Sequence, residues 1–378
     1  MDHKKIHTLI IGAGPAGLAT AGRLRKLDLP FEVLEASTRI ADSWHRHYDR
    51  LCLHTVKELS ALPHYPFPDD YPQYVPREKL IRYFESYANR FGISPLFLHK
   101  AVRIVRNSDR QWTVETSSGP TFKAENVVVT TGFNRIPKIP HWPGEKIFSG
   151  EIMHSRNYKN PVPFSQKKVL VIGMGNTGAE IALDLSLNGV QTWLSVRNEV
   201  VIVPRDVFGN PAQLTGKKLE KLPFGLGGWI ANRIRRLLFD DLKRYGLRIS
   251  PQAPVKMLEA TGKTPVIDIG TADQIRAGSI KVVPGISEFQ THRITFTNEE
   301  SLPFDAVILA TGYRPQLQDM IPGIEEILEK ADVPSSPIGF GKFEGLYFVG
   351  FDNFKLGGIL GTIYEDSEFV AKAIQKKK

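Results

Sequence analysis

Two residues of opposite charge close two similar stretches of this chain. Glu35 ends the run Phe31-Glu32-Val33-Leu34, and Arg197 follows Thr192-Trp193-Leu194-Ser195-Val196. Ahead of the first lie an apolar run, His7 to Ile11, and the turn Gly12-Ala13-Gly14-Pro15-Ala16-Gly17. Ahead of the second lie Lys168 to Ile172 and the turn Gly173-Met174-Gly175-Asn176-Thr177-Gly178. Both turns have the spacing GxGxxG. The first glycine permits a tight turn, the second lets a pyrophosphate approach the backbone, and the third lets helix and strand pack closely. A carboxylate at the end of the following strand accepts hydrogen bonds from a ribose 2′-hydroxyl. A guanidinium there pairs instead with a 2′-phosphate, which a carboxylate would repel. The pattern predicts a dinucleotide with a free 2′-hydroxyl, such as FAD, at the first turn and NADPH rather than NADH at the second.

Pro15, Ala16 and Trp44 are counted with the first site. Thr177, Ser195 and Arg205 are counted with the second. Asn176 and Asn134 are catalytic candidates, Asn176 following the second turn, where it could hold the nicotinamide ribose or amide, and Asn134 following the run Val127 to Gly132; either could instead be a turn residue. Arg197 has a plainer alternative as an ordinary exposed arginine, and a glycine turn alone could be a strand-to-helix connection with no ligand.

These residues need two βαβ units to hold them. The apolar runs read as buried parallel strands, and Leu18, Ala21, Leu24 and Leu27 recur at helical spacing after the first turn. The fold class is therefore α/β, with two Rossmann-like dinucleotide-binding domains. The expected division is an FAD domain at 1–165 and 303–378 with an NADPH domain, 166–302, inserted in it. Arg77 to Phe91 reads as an amphipathic helix with Leu80, Phe84, Tyr87 and Phe91 inside. Leu226 to Tyr245 reads as another, with Trp229, Ile230, Ile234, Leu237 and Leu238 on its apolar face. That helix is open to three readings: packed lid or core element, membrane-surface contact, or wall of a partner or substrate channel.

Between the two units stands Phe148-Ser149-Gly150-Glu151-Ile152-Met153-His154-Ser155-Arg156-Asn157-Tyr158, spaced FxGxxxHxxxY. This resembles the signature of flavin-containing monooxygenases; the related Baeyer-Villiger signature has Trp where this chain has Tyr158. Val127-Val128-Val129-Thr130-Thr131-Gly132 and Val307-Ile308-Leu309-Ala310-Thr311-Gly312 look like the two ATG-type linkers of that superfamily, with Thr130 where Ala is usual. Thr311 and Gly312 thereby join the cofactor-binding candidates. The run Arg50-Leu51-Cys52-Leu53-His54-Thr55 is similar to the YUCCA group and its bacterial relatives. So are Thr264 to Thr271, Pro284-Gly285-Ile286 and Tyr347 to Phe351 with Gly357 to Gly361.

The resemblance implies an FAD- and NADPH-dependent monooxygenase that works through a C4a-(hydro)peroxyflavin, with O₂ and a small organic molecule as co-substrates. YUCCA enzymes convert indole-3-pyruvate to indole-3-acetate, so an aromatic 2-oxo acid is the implied substrate. N- or S-oxygenation, or NADPH oxidation releasing H₂O₂, are the alternatives. Animal-type members resemble Asn-Thr where this chain has His54-Thr55, with that Asn near the flavin. His54 is thus a catalytic candidate or a satisfied core histidine. His154 either organises the segment between the two nucleotide sites or acts as a general base.

Composition narrows the field further. The chain has 378 residues, a formal charge of +9 and one cysteine, Cys52. A single cysteine excludes an intrachain disulfide, a CxxC redox pair and a cysteine-rich zinc site. No metal site is expected. No nucleic-acid-binding motif accompanies the basic charge. No apolar run reaches the ~18 residues of a transmembrane helix. Thr8 to Ile11 is too short for a signal-peptide core. A cytoplasmic location is expected, with peripheral membrane contact as a lesser possibility; nothing in the sequence sets an oligomeric state.

Overall fold

The computed structural model describes residues 6–219, 226–352 and 358–377. Gly357, and the terminal residues Met1–Lys5 and Lys378 of the expected first domain, lie outside the described residues. The chain forms two compact units. One comprises Met1–Arg46, Thr55–Ile136 and Tyr313–Lys378, and the other His47–His54 and Pro137–Gly312.

In the first unit Ile6–Ile11 lies between Glu32–Leu34 and Thr121–Val129, parallel to both, with Ile10 opposite Val33 and Val128. Thr121–Val129 serves two neighbours along its other edge. Its first half pairs antiparallel with Trp112–Thr116, which continues to Ala101–Arg106, and its last three residues pair parallel with Leu346–Phe348. Leu9, Ile11, Val127 and Val129 face one core with Ile104, Trp112 and Phe348. The helix Pro15–Lys26 packs beside Gly358–Gln375, where Arg23 reaches the Tyr364 carbonyl at 3.1 Å and Glu368 at 3.1 Å.

The helix Arg77–Arg90 forms as expected, with Leu80, Tyr83, Phe84 and Tyr87 buried. Its phenols pin the proline-rich loop before it. Tyr83 accepts from the Leu62 amide at 2.7 Å and Tyr87 donates to the Pro63 carbonyl at 3.1 Å. A loop poor in backbone pairing is held by side chains instead, as buried polar groups require.

The second unit is built on an all-parallel five-stranded sheet in the order Ile280–Val283, Gln191–Ser195, Lys168–Ile172, Ala306–Leu309, Glu151–His154, beside a smaller antiparallel sheet of Ile286–Phe289, Arg293–Phe296 and Ser301–Pro303. Such a sheet is covered on both faces, so its strands read as continuous apolar runs. Val169, Val171 and Leu194 turn to one core with Ile181 and Leu185, while Leu170, Trp193 and Val307 turn to another with Phe289, Ile294 and Phe296. Each fully buried aliphatic contributes roughly 1.5–3 kcal/mol.

Two expectations are corrected. The division falls at residues 136/137 and 312/313, not at 165 and 303, because Glu151–His154 is the edge strand of the second sheet, with His154 opposite Leu309. The segment His47–His54 also belongs to that unit. Second, the helix beginning at Leu226 ends at Phe239 and gives way to a 3-10 turn, Asp240–Tyr245. Its assigned apolar face is not inside: Trp229 is 62% and Leu237 86% exposed, whereas Arg235 is 2% exposed. Arg235 is buried because its guanidinium donates to the Ser250 carbonyl at 3.1 Å and to Asn232 Oδ1 at 2.9 Å.

Candidate active site

The two glycine turns are built alike, each within its own unit. Gly12 has φ +113° and Gly173 φ +102°, the left-handed region where only glycine is unstrained. Gly17 and Gly178 sit against the turn itself, since a Cβ on either would lie 1.9 Å from the Gly12 or Gly173 carbonyl oxygen. Gly14 and Gly175 are the contrasting positions. A Cβ on either meets no protein atom within 4 Å, so the space beside the helix N-terminus is open. Neither helix has an acid in its first turn, and Pro15 stands first in the first helix. Unpaired first-turn amides and a helix dipole facing open space suit a pyrophosphate.

Each turn is backed by the linker that follows its sheet strand. The Thr130 amide donates to the Ile11 carbonyl at 3.0 Å, and the Ala310 amide to Ile172 at 2.9 Å. Thr130 adds what alanine cannot: its hydroxyl lies 2.8 Å from the Ile11 carbonyl and 3.0 Å from that of Gly12. Thr131 follows with a buried hydroxyl that has no hydrogen-bond partner among the described residues.

In the first unit Glu35 is partly committed to the turn. One carboxylate oxygen accepts from the Ala13 amide at 2.8 Å, the other from the Ser37 amide and hydroxyl, both at 2.8 Å. Each oxygen has two lone pairs, so capacity for ribose hydroxyls remains. Ala16 lies in the buried part of the helix, and Trp44 is half-buried against Phe84 with ring centres 5.8 Å apart. Asn134 stands in an exposed turn beyond Gly132.

In the second unit Arg197 is exposed, and its guanidinium makes no ion pair with a described residue. Its backbone carbonyl accepts from the guanidinium of Arg248, a second exposed arginine that sequence reasoning passed over because it lies 51 residues away. Ser195 donates its hydroxyl to the Pro284 carbonyl at 2.7 Å. Arg205 pairs with Asp206 at 3.0 Å. Asn176 and Thr177 open the helix Asn176–Leu187. The Asn176 amide ties down the neighbouring chain, donating to the Pro265 carbonyl at 3.3 Å and accepting from the Ile267 amide at 2.7 Å. Thr311 donates its hydroxyl to the Lys138 carbonyl at 2.5 Å.

The FxGxxxHxxxY residues act as fasteners within this unit. His154 Nδ1 accepts from the Arg156 amide at 3.1 Å, which leaves the proton on Nε2, 3.3 Å from the Gly312 carbonyl. Burial, opposed by that carbonyl, lowers its pKa and keeps it neutral. That geometry fits organisation of the segment rather than proton transfer. Tyr158 donates to Asp184 Oδ2 at 2.7 Å. Burial pushes both pKa values up, and for Tyr158 the adjoining Asp184 adds to the rise. The segment 47–54, distant in sequence but part of the same unit, grips the same helix. Arg50 approaches Asp184 at 3.7 Å, and His54 Nε2 lies 2.7 Å from Glu180 Oε1. Burial, then the Glu180 carboxylate, raises the Cys52 thiol pKa, which favours the neutral thiol over the thiolate.

Among the described residues no helix is long and apolar enough to cross a membrane.

Comparison with known proteins agrees with this architecture. The chain is 36% identical over 371 residues to indole-3-pyruvate monooxygenase YUCCA1 of Oryza sativa subsp. japonica, covering 97% of this chain and 90% of the relative. It is 38% identical over 364 residues to the probable indole-3-pyruvate monooxygenase YUCCA8 of Arabidopsis thaliana, covering 93% and 85%. Among solved structures, a flavin-containing monooxygenase from Stenotrophomonas maltophilia superposes with a TM-score of 0.76 at 20% identity, over 99% of both chains. The Flavin-binding monooxygenase-like family model matches residues 7–331, and by that span, which takes in both glycine turns and the fastening segment between them, the chain belongs to that family.

Proposed function

We propose that this chain is an FAD- and NADPH-dependent monooxygenase that decarboxylates an aromatic 2-oxo acid of the indole-3-pyruvate type. The observation that carries the two-cofactor reading is the charge reversal at the two strand ends, Glu35 in one unit and Arg197 in the other. The open space at Gly14 and Gly175 supports a pyrophosphate at each turn. Similarity to indole-3-pyruvate monooxygenases along nearly the whole chain supports the substrate class.

FAD bound at Gly12–Gly17 and reduced by NADPH supplies the oxygen-activating chemistry. The residues of the chain bind and orient. Glu35 accepts from ribose hydroxyls, and Arg197 pairs with the 2′-phosphate, a contact that NADH does not offer. Asn176 holds the nucleotide turn against Pro265 and Ile267. His154 and Thr311 fix the loop at Gly312. The overall reaction takes one O₂, one NADPH and one proton with the 2-oxo acid, and returns the acid shortened by one carbon, CO₂, water and NADP⁺. A cytoplasmic setting suits a chain with one buried-type thiol and a need for NADPH.

Product analysis under NADPH and air tests the reading, with indole-3-pyruvate, phenylpyruvate and an alkyl sulfide in parallel. Stoichiometric CO₂ and the shortened acid are expected from the 2-oxo acids. A sulfoxide as the main product, or H₂O₂ equal to NADPH consumed with every substrate, overturns it.

A further inference from the structure

The peptide group that joins Gly12 to Ala13 is held at both ends, and its counterpart in the second turn is not. On the oxygen side, the Gly12 carbonyl accepts from the Thr130 hydroxyl at 3.0 Å. On the nitrogen side, the Ala13 amide donates to Glu35 Oε2 at 2.8 Å. The hydroxyl has one proton, which it shares with the Ile11 carbonyl at 2.8 Å. That oxygen already accepts the Thr130 amide at 3.0 Å, whereas the Gly12 oxygen shows no other donor among the described residues. Thr130 and Ala13 are both buried, so water competes little for these bonds. The second turn is a control inside the same chain. Ala310 stands in the place of Thr130, its amide meeting the Ile172 carbonyl as the Thr130 amide meets that of Ile11. It has no hydroxyl to give, and Arg197 replaces the carboxylate. Neither the Gly173 carbonyl nor the Met174 amide shows a hydrogen bond among the described residues.

We propose that Thr130 is a positioning residue for the first cofactor. Through the Gly12–Ala13 peptide it holds the first turn and the Glu35 carboxylate in their binding shape, and so slows the departure of FAD. A hydroxyl, a peptide and a carboxylate in series polarise one another, so loss of the first link weakens the second. Glu35 is then fixed on both oxygens before a ligand arrives, Oε2 by the Ala13 amide and Oε1 by the Ser37 amide and hydroxyl. Fixing the acceptor in advance removes part of the ordering cost of binding a ribose. The second turn lacks this clamp, which suits a dinucleotide that must exchange. The inference rests on the assignment of FAD to the first turn.

The test is the rate at which free flavin fluorescence appears when the flavin-loaded protein is diluted, read beside NADP⁺ affinity by calorimetry. Thr130→Val keeps the side-chain shape and loses the hydroxyl. It should release FAD about tenfold faster and bind NADP⁺ within about twofold of wild type, while Thr130→Ser, which keeps the donor, should release FAD within about threefold of wild type. Because Thr130 acts through the peptide that Glu35 grips, Thr130→Val combined with Glu35→Gln should accelerate release by less than the product of the two single effects. FAD release from Thr130→Val within about twofold of wild type overturns the proposal. So do equal losses in Thr130→Val and Thr130→Ser, single effects that multiply, or NADP⁺ binding that falls as far as FAD retention. If Thr130→Val does not fold, Thr130→Ala against Thr130→Ser decides, since alanine already serves at position 310. Faster FAD release from Glu35→Gln but not from Thr130→Val leaves the cofactor assignment standing and removes Thr130. A Glu35→Gln protein with unchanged FAD release and weakened NADP⁺ binding sinks the assignment itself.

Discussion

The Tyr158 hydroxyl donates to Asp184 Oδ2 across 2.7 Å, joining the end of the FxGxxxHxxxY segment to the third turn of the second nucleotide helix. Both groups are buried, so the bond is not replaced by water when broken. Tyr158→Phe should lower unfolding free energy by about 1–3 kcal/mol, because Asp184 is left with only the longer Arg50 contact. Denaturant melts of the purified protein measure this. A loss under about 0.5 kcal/mol would show that the bond has no structural weight.

Gly14 and Gly17 should separate cofactor binding from folding. Gly14→Val adds a side chain to open space, so the protein should fold and purify colourless. Gly17→Ala drives a methyl into the Gly12 carbonyl, so the protein should lose stability whether or not flavin is present. Flavin absorbance and melting temperature read the two effects. A Gly14→Val protein that purifies fully yellow rules out the first pyrophosphate site.

Arg197→Ala should raise KM for NADPH about 10–100-fold and leave KM for NADH nearly unchanged, as expected for loss of a charge-assisted phosphate contact. Equal effects on both coenzymes contradict the 2′-phosphate role. Arg248→Ala is a useful companion, since its guanidinium meets the Arg197 carbonyl.

His154 gives a pH signature. Burial depresses its pKa in the fold below the ordinary histidine value of 6.5. Its stabilising contribution is therefore present above that value and lost as pH falls through the lower folded pKa, where the unfolded chain binds a proton that the fold resists. His154→Gln cannot titrate. The melting temperature of wild type minus that of His154→Gln should shrink between pH 7.5 and 5.5, and a constant difference would remove His154 from the acid response.

Much of this molecule is legible in its sequence. Glycine spacing, apolar runs and terminal charges mark both βαβ units because those constraints are local. Contacts between distant residues are not legible. His54 and Glu180 are 126 positions apart, and neither residue type announces its partner. The Leu226–Phe239 helix misleads for a different reason. Counting arginine as polar puts Arg235 outside, but its hydrogen bonds to Asn232 and to a carbonyl beyond the helix let it go in and leave Trp229 and Leu237 facing solvent. The unit boundary escapes notice because Glu151–His154 is half-exposed edge strand, which has no strong apolar signal of its own.

The strand Thr121–Val129 bears on how the chain is made. Its opening residues can zip to the neighbouring hairpin as soon as they leave the ribosome. Val127-Val128-Val129 must wait more than 200 residues for Leu346–Phe348, and the helix Pro15–Lys26 waits longer still for Gly358–Gln375. Until then a sticky valine edge stays uncapped on the nascent protein, while the intervening unit has everything it needs to fold first. Biogenesis, rather than the finished molecule, is therefore where holdase chaperones would matter most.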